Sequence, residues 1–136
     1  MKARTWLGIS ITFIFVISHL LPAYGSSSGF ECFRACGGAL VDFKPDELLG
    51  WLYYGGFAVS NVLFVALVPF VFFQKQFPKT IQFLIVVLTL HVISWFPMGL
   101  ETDRTIKIGY YLWLLAYLLL TYVILTARAN RHESAA

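Results

Sequence analysis

The sequence predicts an all-α fold: an integral membrane protein of four antiparallel transmembrane helices, with a short outer loop between helices 1 and 2. Three observations carry that prediction. Of 136 residues, 59% are hydrophobic and only 12% charged, far from the roughly one-quarter charged content of a soluble domain. The runs Thr5 to Phe30, Leu48 to Gln74, Thr80 to Leu100 and Ile108 to Ala127 carry no charge, and each is long enough to cross a bilayer as a helix. The last of them, fenced by Lys107 and Arg128, reaches roughly 30 Å at helical rise, the thickness of the hydrocarbon core. Residues 1–136 therefore read as one transmembrane domain with spans near 5–24, 46–73, 80–100 and 108–127 and an outer loop over 25–45.

The first span opens on Lys2 and Arg4 and is ended by Pro22 and the small polar stretch Gly25-Ser26-Ser27-Ser28-Gly29, because proline breaks the hydrogen-bond ladder and such residues favour irregular backbone. Ala23-Tyr24-Gly25 before Ser26 also resembles the cleavage site of a secretory signal peptide. The 17 residues from Thr5 to Leu21 exceed the usual signal core, which favours an uncleaved helix. In the outer loop, Phe30, Phe33, Gly37, Leu40 and Val41 recur near helical spacing, as in a brief amphipathic helix at the interface, although Gly37 and Gly38 oppose it. Pro45, Asp46 and Glu47 mark the start of the second helix, since proline suits the first helical position and acids the positive end of the dipole. That helix holds Gly55, Gly56 and Ser60, small residues that let a neighbouring helix approach closely. Pro69 and Pro97 stand near the ends of the second and third helices, and the connections Gln74 to Lys79 and Glu101 to Lys107 suffice only to join antiparallel neighbours. The polar tail Ala129 to Ala136 follows the last span.

Charge sets the orientation. One side receives Lys2, Arg4, Lys75, Lys79, Arg128 and Arg131, six basic residues with Glu133 the sole acid. The other receives Arg34, Lys44, Arg104 and Lys107 together with Glu31, Asp42, Asp46, Glu47, Glu101 and Asp103. The positive-inside rule then places both termini in the cytoplasm, in a multi-pass protein of the bacterial inner (plasma) membrane. Tyr24, Trp51, Tyr53, Tyr54, Trp95, Tyr110, Tyr111 and Trp113 fall near the outer ends of their helices, as an interfacial aromatic belt does. The net charge of +3 is small and its basic residues scattered, which argues against nucleic acid as a partner.

Four polar residues lie inside the spans. Counting about 1.5 Å per residue from the inner charges puts His19, Asn61, His91 and Tyr117 at comparable depths of roughly 16 to 22 Å. Polar groups in hydrocarbon are expected to point inward and bond to one another, giving a structural hydrogen-bond cluster. A rarer use of the histidines would be proton transfer or binding of haem or a metal at His19 and His91. Cys32 and Cys36 sit in the outer loop, where an oxidising compartment favours a disulfide. On a helix their Cα atoms would stand about 6 Å apart, within bridging range. Free thiols and a bridge between subunits are the alternatives. Membrane thiol oxidases use a CxxC pair with a second pair as relay; here the spacing is CxxxC and the chain has two cysteines in all. Small multidrug transporters need a carboxylate in the first span, where Thr5 to Phe30 has none.

The segments Leu20-Leu21-Pro22-Ala23-Tyr24, Gly29-Phe30-Glu31-Cys32 and Gly109-Tyr110-Tyr111-Leu112-Trp113-Leu114 resemble those of short four-helix bacterial inner-membrane proteins. That resemblance implies the layout of the whole chain and no activity. The expectation is a protein without catalytic site, metal or cofactor, in contact with membrane lipid and with another membrane protein or a second copy of itself. It would act as an accessory subunit of a membrane complex or as an immunity-type protein. The alternative is a redox or ion-handling module built on the His/Asn cluster.

Overall fold

In a computed structural model, which describes residues 2–42, 48–73, 76–100 and 105–127, the chain is all-α. Helix α1 spans Lys2–Leu20, followed by two short strands, β1 (Pro22–Tyr24) and β2 (Ser27–Ser28). Helices α2 (Gly29–Val41), α3 (Leu48–Phe73), α4 (Lys79–Leu100) and α5 (Ile108–Thr126) complete it. Among the described residues, three helices are long and apolar enough to cross a membrane: α3, α4 over Lys79–Pro97, and α5. The apolar part of α1, Arg4–Leu20, is shorter. The predicted helix start at Pro45 to Glu47, the charges at Lys44, Lys75, Glu101, Asp103, Arg104, Arg128, Arg131 and Glu133, and the polar tail lie outside the described residues.

The first helix ends at Leu20, short of the predicted limit at Tyr24. The reason is Pro22, which cannot donate to the ladder and pushes Leu21 out of the helical region. The chain then turns back on itself rather than forming a loose loop: β1 and β2 pair antiparallel, Pro22 with Ser28 and Tyr24 with Ser27. Gly25 takes φ 60° in the connection, a left-handed conformation that glycine adopts without strain. The segment before α5 joins this hairpin through a Tyr24–Ile106 bridge. Gly25 N–H donates to Thr105 O and Lys107 N–H to Ala23 O, each at 3.0 Å.

The amphipathic segment is a helix in spite of its glycines. Ser28 accepts the Glu31 N–H on its side chain while its own N–H donates to the Glu31 carboxylate, the reciprocal capping box that satisfies two donors at a helix start. Gly37 and Gly38 have open space around them.

Helix α1 packs on α3 and α5, α4 packs on α5, and α2 lies against α3. Antiparallel contact between α1 and α3 runs from Gly8 against the Phe72 ring to the Phe15–Phe64 stack, with centroids 4.1 Å apart. Ile11, Phe64, Val71, Ile85, Val92, Tyr117, Leu120 and Ile124 fill the centre and are almost wholly buried. Thr89 and Thr121 add a hydroxyl contact of 2.6 Å between α4 and α5.

At the hairpin end three helix termini meet. A Cβ on Gly109, at the start of α5, would stand 2.7 Å from Pro22 O, 2.8 Å from Leu21 O and 2.9 Å from Ser18 O. A Cβ on Gly29, at the start of α2, would stand 2.6 Å from Ser18 O and 2.8 Å from the His19 Cα. These neighbours are backbone atoms and cannot rotate away. Gly109→Ala is therefore expected to destabilise the fold by about 1–3 kcal/mol, as overpacking does. Gly37→Ala, in open space, is expected to stabilise it by up to about 1 kcal/mol through helix propensity. Thermal unfolding of the two variants in one detergent checks both signs; a Gly109→Ala protein as stable as the parent contradicts the packing described.

Candidate functional site

A cleft of about 320 Å³ opens at the hairpin end, within the size range of small-molecule sites. Each element contributes to it. The last turn of α1 supplies Ser18 and His19, the hairpin supplies Tyr24 and Ser27, and α2 lays Glu31, Cys32 and Cys36 along one wall. The opposite walls are aromatic: Tyr54 and Phe57 from α3, Trp95 from α4, Tyr110 and Trp113 from α5. Those rings pack on one another, with Phe57 4.7 Å from Trp113 and 5.1 Å from Trp95 between centroids.

Most polar handles on these walls are already engaged. Trp113 Nε1–H donates to Asn61 Oδ1 at 2.9 Å, and Asn61 Nδ2 donates to Phe57 O at 2.8 Å. The Tyr110 hydroxyl donates to Val92 O at 2.9 Å, and Trp95 Nε1–H approaches His91 Nε2 at 3.4 Å. Ser18 Oγ donates to Phe15 O at 2.6 Å. Because a carbonyl can only accept, the 2.9 Å contact between His19 Nδ1 and the same oxygen puts the proton on Nδ1 and leaves Nε2 as an acceptor in the neutral ring.

The expected cluster of four polar residues resolves into separate environments. His19 bonds its own helix and packs on Phe15 and Phe33. Asn61 lies behind the aromatic wall, tied to Trp113. His91 packs between Tyr53 and Trp95, against Gly56. Tyr117 is fully buried between Phe64 and Trp113; its hydroxyl faces Ser60 outside hydrogen-bond geometry, and Ser60 Oγ donates to Phe57 O. Polar side chains on a helix reach their own carbonyls one turn back, and this local option takes the groups that depth alone would pair. The small residues of α3 likewise divide: Gly55 admits Leu40 of α2, and Gly56 admits His91 of α4.

The expected disulfide is not formed; Cys32 and Cys36 are free thiols. They sit one turn apart on a continuous helix, where Cβ atoms stand about 5–6 Å apart against the roughly 3.5–4.5 Å that a bridge needs. Burial raises the Cys32 thiol above its ordinary value, and the Glu31 carboxylate adds to the effect. Burial, and then Cys32 beside it, pushes the Cys36 thiol up to about 12. In contrast, the Ser28 N–H and then the Ser28 hydroxyl hold the Glu31 carboxyl below the usual carboxylate range. Among the described residues no group of three or more His, Cys, Asp and Glu side chains stands close enough to hold a metal ion.

Sequence reasoning read Trp95, Tyr110 and Trp113 as interfacial anchors, whereas here they wall the cleft. Tyr110 and Trp113 stand three residues apart, on one helical face, which is the one local signal that could have joined them. No family model matches the chain, and neither a curated protein nor a solved structure matches it.

Two measurements test the site. Trp113→Phe leaves Asn61 Oδ1 without its donor and is expected to lower stability by about 1–3 kcal/mol. Tyr117→Phe removes a hydroxyl that bonds nothing and is expected to be neutral or stabilising, with equilibrium unfolding in detergent as the readout for both. For the thiols, the nucleophile is the thiolate, and both values are raised, so alkylation is slow at pH 7 and accelerates as pH climbs. Cys32 is expected to react at least about tenfold faster than Cys36 at pH 8, as peptide mass spectrometry of iodoacetamide-treated protein would show.

Proposed function

We propose that the chain is a multi-pass membrane protein of four crossings, α1 with α3, α4 and α5, that works by contact rather than by catalysis from the end holding α2. The observation that carries this is the apolar surface. Large hydrophobic side chains point outward on every long helix: Trp6 and Phe13 on α1, Leu49 and Phe73 on α3, Phe83 on α4 and Tyr122 on α5. Exposed apolar area is unfavourable in water by about 25 cal/mol per Å², and lipid removes that penalty. The apolar part of α1 lies at the short end of spanning lengths. Its side-by-side contacts with α3 and α5 support a crossing in parallel with theirs.

Arg4 and Lys79 stand at the end opposite the hairpin, and Arg4 lies 5.9 Å over the Phe77 ring there. Together with the charge count, this supports cytoplasmic termini, with the hairpin, α2 and the cleft toward the outer face of a bacterial inner membrane. Phe30 and Val41 are exposed on α2, Val41 to 84%, so the helix offers apolar surface at the depth of lipid headgroups or of a partner's outer loops. That geometry suits an accessory subunit of a membrane complex or an immunity-type protein whose partner is another membrane protein or a second copy of the chain.

Labelling and cross-linking check the two halves of the reading. In a chain whose own cysteines are replaced, Ser26→Cys is expected to react with a membrane-impermeant maleimide added outside intact cells, and Lys79→Cys is not. A photo-cross-linker at Val41 is expected to give one discrete adduct of defined mass. Reaction at Lys79→Cys in intact cells overturns the topology, and recovery of the cross-linkable chain solely as a free monomer overturns the contact role.

A further inference from the structure

The cleft at the hairpin end combines aromatic walls with a carboxylate at its rim. The two indole N–H groups and the Tyr110 hydroxyl are bonded to Asn61, His91 and Val92 O, so these rings present carbon to the space. Aromatic faces carry negative potential. Among the described residues Glu31, at the rim, is the one charged side chain on the lining, beside the hydroxyl residues Tyr24, Ser27 and Tyr54 and the Cys32 and Cys36 thiols. An anion entering the cleft meets the Glu31 carboxylate as a like charge. A cation on an apolar body meets complementary groups on each wall, since ammonium groups are attracted to Trp and Tyr faces.

Resting on the reading of this end as the working surface, we propose that the cleft binds an organic cation, a substituted ammonium on an apolar body, between Tyr54, Trp95 and Trp113 with the Glu31 carboxylate as counter-charge. The volume of about 320 Å³ admits a trimethylammonium group and one ring. Glu31 keeps its charge, because the Ser28 N–H and hydroxyl stabilise the carboxylate. Two sources carry this chemistry: the headgroup of a choline-type lipid, reaching in from the adjacent leaflet, and a soluble amphiphilic cation.

The test compares benzyltrimethylammonium with its neutral isostere, neopentylbenzene, on the full chain in maltoside micelles. Tryptophan emission is the readout, since Trp95 and Trp113 line the cleft. The charged compound is expected to bind saturably and at least about tenfold more tightly than the neutral one. Glu31→Gln keeps a capping-box residue at the third helical position, so α2 is retained while the charge is lost; the preference is expected to fall at least about threefold. Circular dichroism of that variant verifies its helix content. Equal affinity for the two compounds, no saturable response to either, or an unchanged preference in a folded Glu31→Gln protein overturns the proposal. Added phosphatidylcholine that competes with the probe upholds the site with a lipid headgroup as its source, and absence of competition beside intact probe binding upholds it with a soluble one. Failure here leaves the labelling and cross-linking results untouched, so the loss of the ligand and the loss of the broader reading are separate observations.

Discussion

The structure depends on one close approach, that of two helix starts to one helix end. The last-turn carbonyls of α1 have no partner within the helix and carry the negative end of its dipole. The starts of α2 and α5 bring N–H groups and the opposite partial charge to them, and Gly29 N–H donates to Leu21 O at 3.1 Å. Attraction alone would not place the backbones this near. The approach requires Gly29 and Gly109, since a side chain at either would meet carbonyl oxygen at under 3 Å. Pro22 supplies the condition for both by ending α1 where the two glycines can reach it. The hairpin then ties the junction to the segment before α5, so the entry of α5 into the bundle is set by residues some 80 positions earlier in the chain.

A second constraint acts one layer further along α4. Pro97 lies inside that helix and removes the N–H that would meet the carbonyl of Ile93. The carbonyls on either side of Ile93 are taken by tyrosines from neighbouring helices: Tyr53 donates to Ser94 O at 3.0 Å and Tyr110 to Val92 O at 2.9 Å. Backbone groups in an apolar surrounding need partners from within the protein, and tyrosine provides a hydroxyl on a long apolar arm. Its bond to Val92 O also turns the Tyr110 hydroxyl away from the cleft.

Much of the helical layout was legible because it is a matter of length and charge. The runs that predict α3, α4 and α5 agree with them to within one residue at each end. The capping box of α2 was equally legible, since Ser28 and Glu31 have the required spacing, yet Gly37 and Gly38 weighed against a helix in open space where glycine does little harm. The hairpin was not legible, because half of its pairing comes from Thr105 to Lys107 and leaves no local pattern. The separate surroundings of His19, Asn61, His91 and Tyr117 were not legible for a different reason. Depth along a helix can be counted, but which side chains meet depends on rotation about each axis. Helices that are apolar all round show no amphipathic stripe from which to read that rotation.

The cleft follows from these same contacts rather than from any residue kept open for it. Helix α2 forms one of its walls and is held at two places: at its start by Gly29 on the α1 carbonyls, and near its end by Leu40 seated on Gly55 of α3. Between those holds, Cys32 and Cys36 face large rings whose own positions are fixed elsewhere, Trp113 by Asn61 and Trp95 by Tyr53, which stacks on it at 4.5 Å. Short side chains on one wall and anchored rings on the other leave space that neither can collapse to fill. A cleft bounded this way keeps its shape without a ligand, so that binding costs little reorganisation and selectivity rests on the chemistry of the walls.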